Sequence, residues 1–337
     1  MNDRGITYDD ILLLPEVSGI QSRLSGVIDL STEVFNGVKI DYPIISSPMS
    51  CVTDFKFAEE IAMIGGVGIV HRFQEAFSQA PRQIKESEKI IFAYGIGNEE
   101  QKRLTSLYEK GARLFCLDVA NGGNTVVGCE IKRSKDKYPD IKIMAGNVVT
   151  GETASYLKEC GADAIRALIG NGSACSTSLV TGVGCPALTA LEDIYEAIGD
   201  SVPIIADGGI KNSGQLAKAF RFGATSVMCG RILAGFNHRD TKINRDGILY
   251  KLYLGQASRK FMEMNGKSRG GLAPEGVDML IPLRFDNSLQ GFVEEFLGGL
   301  RSAMTYLNCV SIKEIRESDF IIVSPATQRE IQPQLEI

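Results

Sequence analysis

The stretch VPIIADGGIKNSGQLAKAFRFGATSVMCGR, residues 202–231, holds one whole structural unit. It opens on an apolar run, VPIIADGG (202–209), crosses NSGQLAKAFRFG (212–223) and closes on a second run, TSVMCGR (225–231). Neither run alternates apolar with polar residues, which is how parallel strands buried on both faces read. The middle has helical spacing and ends in glycine, as helix C-caps do.

The same unit repeats towards the N-terminus. Further Ile- and Val-rich runs lie at YPIISSPM (42–49), GVGIVHR (66–72), IIFAYGIG (90–97), RLFCLDVAN (113–121), IKIMAGNVV (141–149) and DAIRALIG (163–170). Between them stand helical patterns such as FKFAEEIAMIG, NEEQKRLTSLYEKG and TGETASYLKECG, the last with Thr150 in capping position. Eight strand–helix units in about 190 residues predict a closed (β/α)8 barrel, with a doubly wound open sheet as the alternative. No linker-like stretch interrupts the series, so one domain is expected. Residues 1–40 form an N-terminal extension, in which ITYDDILLLPEVSGIQSR is expected to cap the barrel bottom. Residues 237–296, glycine-rich and mixed, are expected to form a functional loop after strand eight, and 313–337 a tail.

Composition narrows the function classes. A net charge of −5 leaves no basic footprint for nucleic acid. No apolar run approaches a membrane span, and MNDRGITYDD has no signal-peptide character. The eight cysteines make no CxxC pair, and with only two histidines a zinc site is not indicated. A cytoplasmic protein with reduced thiols is the expectation.

In a barrel, chemistry gathers at the C-terminal ends of the strands. Asp118, Asn147, Cys175, Asp207 and Gly230 fall there. ADGGI (206–210) and CGR (229–231) follow strands seven and eight, where barrels bind phosphate through backbone N–H groups. Cys175 lies in GNGSACSTSLVTGVG (170–184), a polar and glycine-rich setting unlike a core. The residues alone leave it open between a small buried filler and a nucleophile, since the loop has no histidine to act as base.

The segment AIRALIGNGSACSTSLVTGVGCPALTAL resembles the active-site loop of the IMP dehydrogenase and GMP reductase family. YDDILLLP (8–15), CLDVANG (116–122), AGNVVTGE (145–152), IADGGIKNSG (205–214), EGVDM (275–279) and LGGLRSAMTY (297–306) are similar to that family in the same order. The resemblance implies a single (β/α)8 barrel and a purine mononucleotide substrate. It places Cys175 as the nucleophile at purine C2, with Thr177 assisting. Ser173, Gly209, Gly230 and Arg231 match phosphate contacts, Ser258 a further substrate contact, and Asp207 the carboxylate for the ribose hydroxyls. Asp118 and Asn147 match the dinucleotide side. Carbonyls of Gly170, Gly172 and Cys175 match a monovalent-cation site, with potassium as the ion. The family usually forms homotetramers.

Within the family, the sequence is more similar to the reductases. There is no inserted pair of regulatory domains, and QASRKFMEMNGKSRGGLAP (256–274) carries no Arg-Tyr pair. The Gly-Gly pair at 270–271 is also reductase-like, and Glu275 matches the carboxylate that handles the proton on the departing amine. The expectation is NADPH-dependent conversion of GMP to IMP. The alternatives are a short IMP dehydrogenase using NAD, a relative acting on a related purine nucleotide, and a silent nucleotide-binding barrel. Departures from the family pattern stand at Leu168, Asn171, Ser50, Arg231 and Leu272.

Overall fold

Pairing between the last and first predicted strands separates a barrel from an open sheet. In the computed structural model Val227, Met228 and Cys229 pair in parallel with Ile44, Ile45 and Ser46, and the sheet closes. Residues 5–24, 26–73, 83–84, 89–239, 242–266, 272–285 and 288–330 are described. The eight parallel strands are Ile44–Ser46, Val67–Val70, Ile91–Tyr94, Leu114–Asp118, Lys142–Val148, Ala164–Ala167, Ile204–Asp207 and Ser226–Cys229. Each falls inside one of the apolar runs, and helices including Phe55–Met63, Asn98–Glu109, Gly151–Glu159 and Ser213–Arg221 surround them. The protein is a single (β/α)8 barrel.

Local chemistry sets the helix ends. Asn212 accepts from the Gln215 amide and Thr150 from the Thr153 amide, each satisfying a first-turn N–H. Gly65, Gly111, Gly161 and Gly223, which close four of the helical patterns, have φ of 90°, 106°, 103° and 97°. Such left-handed caps favour glycine because a Cβ would crowd the backbone.

The barrel interior is a packed layer of Ile45, Val67, Ile69, Ile91, Ala93, Cys116, Met144, Ile205 and Met228. It continues into Val34, Phe35 and Ile40 of the hairpin Thr32–Phe35/Val38–Ile40, which precedes the first strand and plugs the N-terminal end. This corrects the expectation that ITYDDILLLPEVSGIQSR caps the bottom. The start of that segment packs on the helices after strands six and seven instead. The Ile6 amide donates to Thr189 Oγ1 at 2.8 Å, and Lys218 Nζ donates to the Tyr8 carbonyl at 2.8 Å. Its Thr7, Asp9 and Asp10 are polar and suit helix ends, whereas the hairpin supplies the apolar side chains that an open barrel end needs. Ile11–Leu13 then pairs antiparallel with Phe320–Ile322.

The segment after strand eight is more ordered than the loop expected there. Ile243–Arg245, Ile248–Leu254 and Asp278–Pro282 form a three-stranded antiparallel sheet. The first hairpin turns at Asp246-Gly247, both with positive φ, the Asp-Gly signature of a two-residue turn. Helix Leu289–Tyr306 follows, and residues 270–271 lie outside the described residues. Among the described residues no helix is long and apolar enough to cross a membrane.

Candidate active site

The C-terminal ends of the strands enclose a cavity of about 300 Å³. Its floor is a charge network. Arg166, on strand six, is buried, and its Nη1 donates to Asp118 Oδ1 at 2.6 Å while its Nε donates to Asp207 Oδ2 at 2.8 Å. Burial opposes the guanidinium charge, but the carboxylates of Asp207 and Asp118 outweigh it and raise its pKa further above the ordinary arginine value. Asn147 Nδ2 also donates to Asp207 Oδ2 at 2.8 Å and to the Leu168 carbonyl at 2.8 Å. Asp207 therefore has Oδ2 doubly occupied and, among the described residues, Oδ1 without a partner. Arg72 Nε stands 3.5 Å from Asp118 Oδ2, and Arg72 Nη1 is 3.3 Å from Glu100.

Strand six leads into the cysteine loop through Leu168, which is buried and has φ of 84°, a strained conformation for a branched residue. The Cys175 amide donates to the Gly172 carbonyl at 2.9 Å, closing a tight turn. The half-buried Cys175 thiol donates to Thr177 Oγ1 at 3.3 Å, and Thr177 opens the short helix Thr177–Thr181. Two backbone bonds fasten this loop to the segment after strand eight, and a third ties that segment to itself. The Ser176 amide donates to the Glu275 carbonyl at 2.9 Å, Val277 to Ala174 at 2.9 Å and Glu275 to Ala257 at 3.0 Å. Cys175, Thr177 and Glu275, more than ninety residues apart at the extremes, thus stand on one wall.

The glycine turns after strands seven and eight line the cavity beside the cysteine loop. Gly208 and Gly209 have φ of 90° and 80°, and a Cβ on Gly208 would lie 3.1 Å from the Gly172 amide nitrogen. A Cβ on Gly230 would lie 2.6 Å from Tyr253 Oη and 3.1 Å from Ser47 Oγ. Among the described residues Ser47 Oγ is buried without a partner, and the Tyr253 hydroxyl donates to Met49 Sδ at 3.2 Å. Arg231 is exposed at the rim and, among the described residues, has no ion pair. These groups make a cradle for an anion. Ser173, Gly170 and Gly172 also line the cavity. Ser258 does not line it; its hydroxyl accepts from the Phe261 amide and caps helix Arg259–Met264.

Burial separates the thiols. Cys116 and Cys229 are each pushed up to about 12 by burial; Arg166 opposes the shift at Cys116, and Asp207 adds to it at Cys229. Arg166, Tyr253, Ser47 and Gln256 were not expected in the site. A charge inside the apolar run DAIRALIG was the one available signal, for Arg166.

Fold and site together define a (β/α)8 barrel that presents a cysteine beside a carboxylate-floored cavity and an anion cradle. Residues 5–334 match the sequence model of the IMP dehydrogenase / GMP reductase domain. GMP reductase 2 of Homo sapiens is 35% identical over 346 residues, covering 96% of this chain and 95% of the relative. Inosine-5'-monophosphate dehydrogenase of Borreliella burgdorferi is 30% identical over 393 residues, covering 97% and 96%. That of Cryptosporidium parvum is 32% identical over 384 residues, covering 97% and 94%. The chain belongs to the IMP dehydrogenase / GMP reductase family.

Proposed function

We propose that this protein is an NADPH-dependent GMP reductase that works through a covalent adduct on Cys175. The observation that carries the proposal is the assembly of Cys175, Thr177 and Glu275 on one wall, with Cys175 Sγ 3.3 Å from Thr177 Oγ1. The cradle of Ser173, Gly209, Gly230 and Arg231 takes the 5'-phosphate. Asp207, with Oδ2 already occupied, offers Oδ1 to a ribose hydroxyl.

Attack of the Cys175 sulfur on C2 forms a C–S bond. The C2–amine bond breaks and ammonia leaves, carrying a proton that Glu275 and Thr177 deliver. A reduced nicotinamide dinucleotide, when bound, supplies hydride to C2; the C–S bond then breaks, releasing IMP and the Cys175 thiolate. Asp118 and Asn147 face the dinucleotide. Their bonds to Arg166 and Asp207 fit this role, because one rigid network then orients both reactants. Gly170, Gly172 and Cys175 offer carbonyls to a potassium ion; the Gly172 oxygen already accepts one N–H and keeps a second lone pair. The family resemblance implies a homotetramer, and the scattered free cysteines fit a cytoplasmic protein with reduced thiols.

A short IMP dehydrogenase is the second reading, favoured by the two relatives of that name, which match over nearly their whole length. Absorbance of the reduced cofactor tests both. Oxidation of NADPH that depends on GMP is expected; steady XMP formation from IMP and NAD, with GMP inert, overturns the reductase reading.

A further inference from the structure

Gln256 follows the strand Ile248–Leu254, lines the cavity and is half-buried. Its Nε2 donates to the Pro48 carbonyl at 2.6 Å. A carbonyl only accepts, so the nitrogen must face Pro48 and the amide cannot be turned end for end. Among the described residues, one Nε2–H and the Oε1 acceptor are left without partners.

The place of this amide matters as much as its orientation. The Gly255 amide donates to the Val277 carbonyl at 3.1 Å, and a Cβ on Gly255 would lie 2.7 Å from the Ala174 carbonyl. Gln256 thus grows from backbone packed on the residue before Cys175. Its side chain reaches Pro48, whose neighbours Ser47 and Met49 also line the cavity. The amide therefore extends along the wall from the cysteine loop to the loop after strand one.

On the purine reading above, a ring with C2 at the sulfur has N1 and C6 next along its edge. A 6-oxopurine carries there an N1–H donor and an O6 acceptor. A 6-aminopurine carries the reverse, an N1 acceptor and an N6–H donor. We propose that Gln256 is a specificity-determining residue that pairs with the N1–H/O6 edge and restricts the site to 6-oxopurine nucleotides. The amide held by Pro48 cannot turn to suit the reversed pattern, so a 6-amino nucleotide would leave both groups opposed to like partners.

Equilibrium binding without cofactor tests this independently of turnover. GMP and 2,6-diaminopurine riboside 5'-monophosphate, which differ at N1 and C6 alone, are titrated into the parent and into Gln256→Met. The parent is expected to bind GMP at least about tenfold tighter, the order of one or two half-buried hydrogen bonds. Gln256→Met should weaken GMP by about tenfold and shrink the preference to within about threefold. IMP against AMP is a second pair in the parent, which needs no variant to fold. Equal affinities within both pairs, or an undiminished preference in Gln256→Met, overturn the role of Gln256 while leaving the GMP reading intact. Failure of the parent to bind any of the four nucleotides overturns both.

Discussion

Replacing Arg166 with methionine tests whether the cavity floor is one electrostatic unit. The side chains of Arg166 and Asp118 are only 8% and 7% exposed, and that of Asp207 is 17% exposed. Removing one member of a buried ion pair typically costs about 3–5 kcal/mol, because a buried charge is left uncompensated. Here two carboxylates are abandoned, yet each keeps something: Asp118 has Arg72 at 3.5 Å and Asp207 has the Asn147 amide at 2.8 Å. The expected loss is therefore near the lower end, about 3 kcal/mol at pH 7, read from urea unfolding. Nucleotide binding should weaken by tenfold or more, since Asp207 loses the group that aims it. A loss under about 1 kcal/mol, with parental nucleotide affinity, refutes the coupling.

Four further tests follow from the geometry. Cys175→Ser should abolish turnover while nucleotide affinity stays within a few-fold, because a hydroxyl is a far poorer nucleophile; substantial remaining activity rules out the covalent route. Glu275→Gln should lower GMP-dependent NADPH oxidation about a hundredfold with little change in GMP affinity, since glutamine keeps the size but transfers no proton; an unchanged rate removes Glu275 from the chemistry. At pH 8, thiols pushed up to about 12 are thiolate in only about one part in 10⁴, so iodoacetamide should alkylate half-buried Cys175 and spare Cys116 and Cys229, as peptide mapping would show. Gly68→Ala should destabilise by about 1–3 kcal/mol, because its Cβ would lie 2.5 Å from Ala58 Cα in helix Phe55–Met63; Gly298→Ala, with open space around it, is the control and should be neutral or stabilising in the same melts.

The sequence by itself determined the eight strands, most of the helices and their glycine ends. Burial on both faces removes alternation from every barrel strand, and that pattern is local. VPIIADGG and TSVMCGR read as strands without reference to anything distant, and Gly223 reads as a cap from its neighbours. Cys175, Thr177 and Glu275 were legible too, the first from its unusual loop and all three through the family resemblance. Asp246-Gly247 was equally local, yet its hairpin lay inside a stretch read as loop.

Only the tertiary structure decided what crosses the barrel. Arg166 meets Asp118 and Asp207 from positions 48 and 41 residues away, and no periodicity links those three. Val227 pairs with Ile44 only because the sheet curves through a full turn. Which end the N-terminal segment covers depended on Val34, Phe35 and Ile40 filling the open end, leaving Tyr8 beside Gly209. Gln256 looks like any loop glutamine until Pro48, 208 residues distant, fixes which end of its amide faces the cavity. Side-chain partners at such separations are set by chain closure and packing, and these become definite only when the whole barrel has formed.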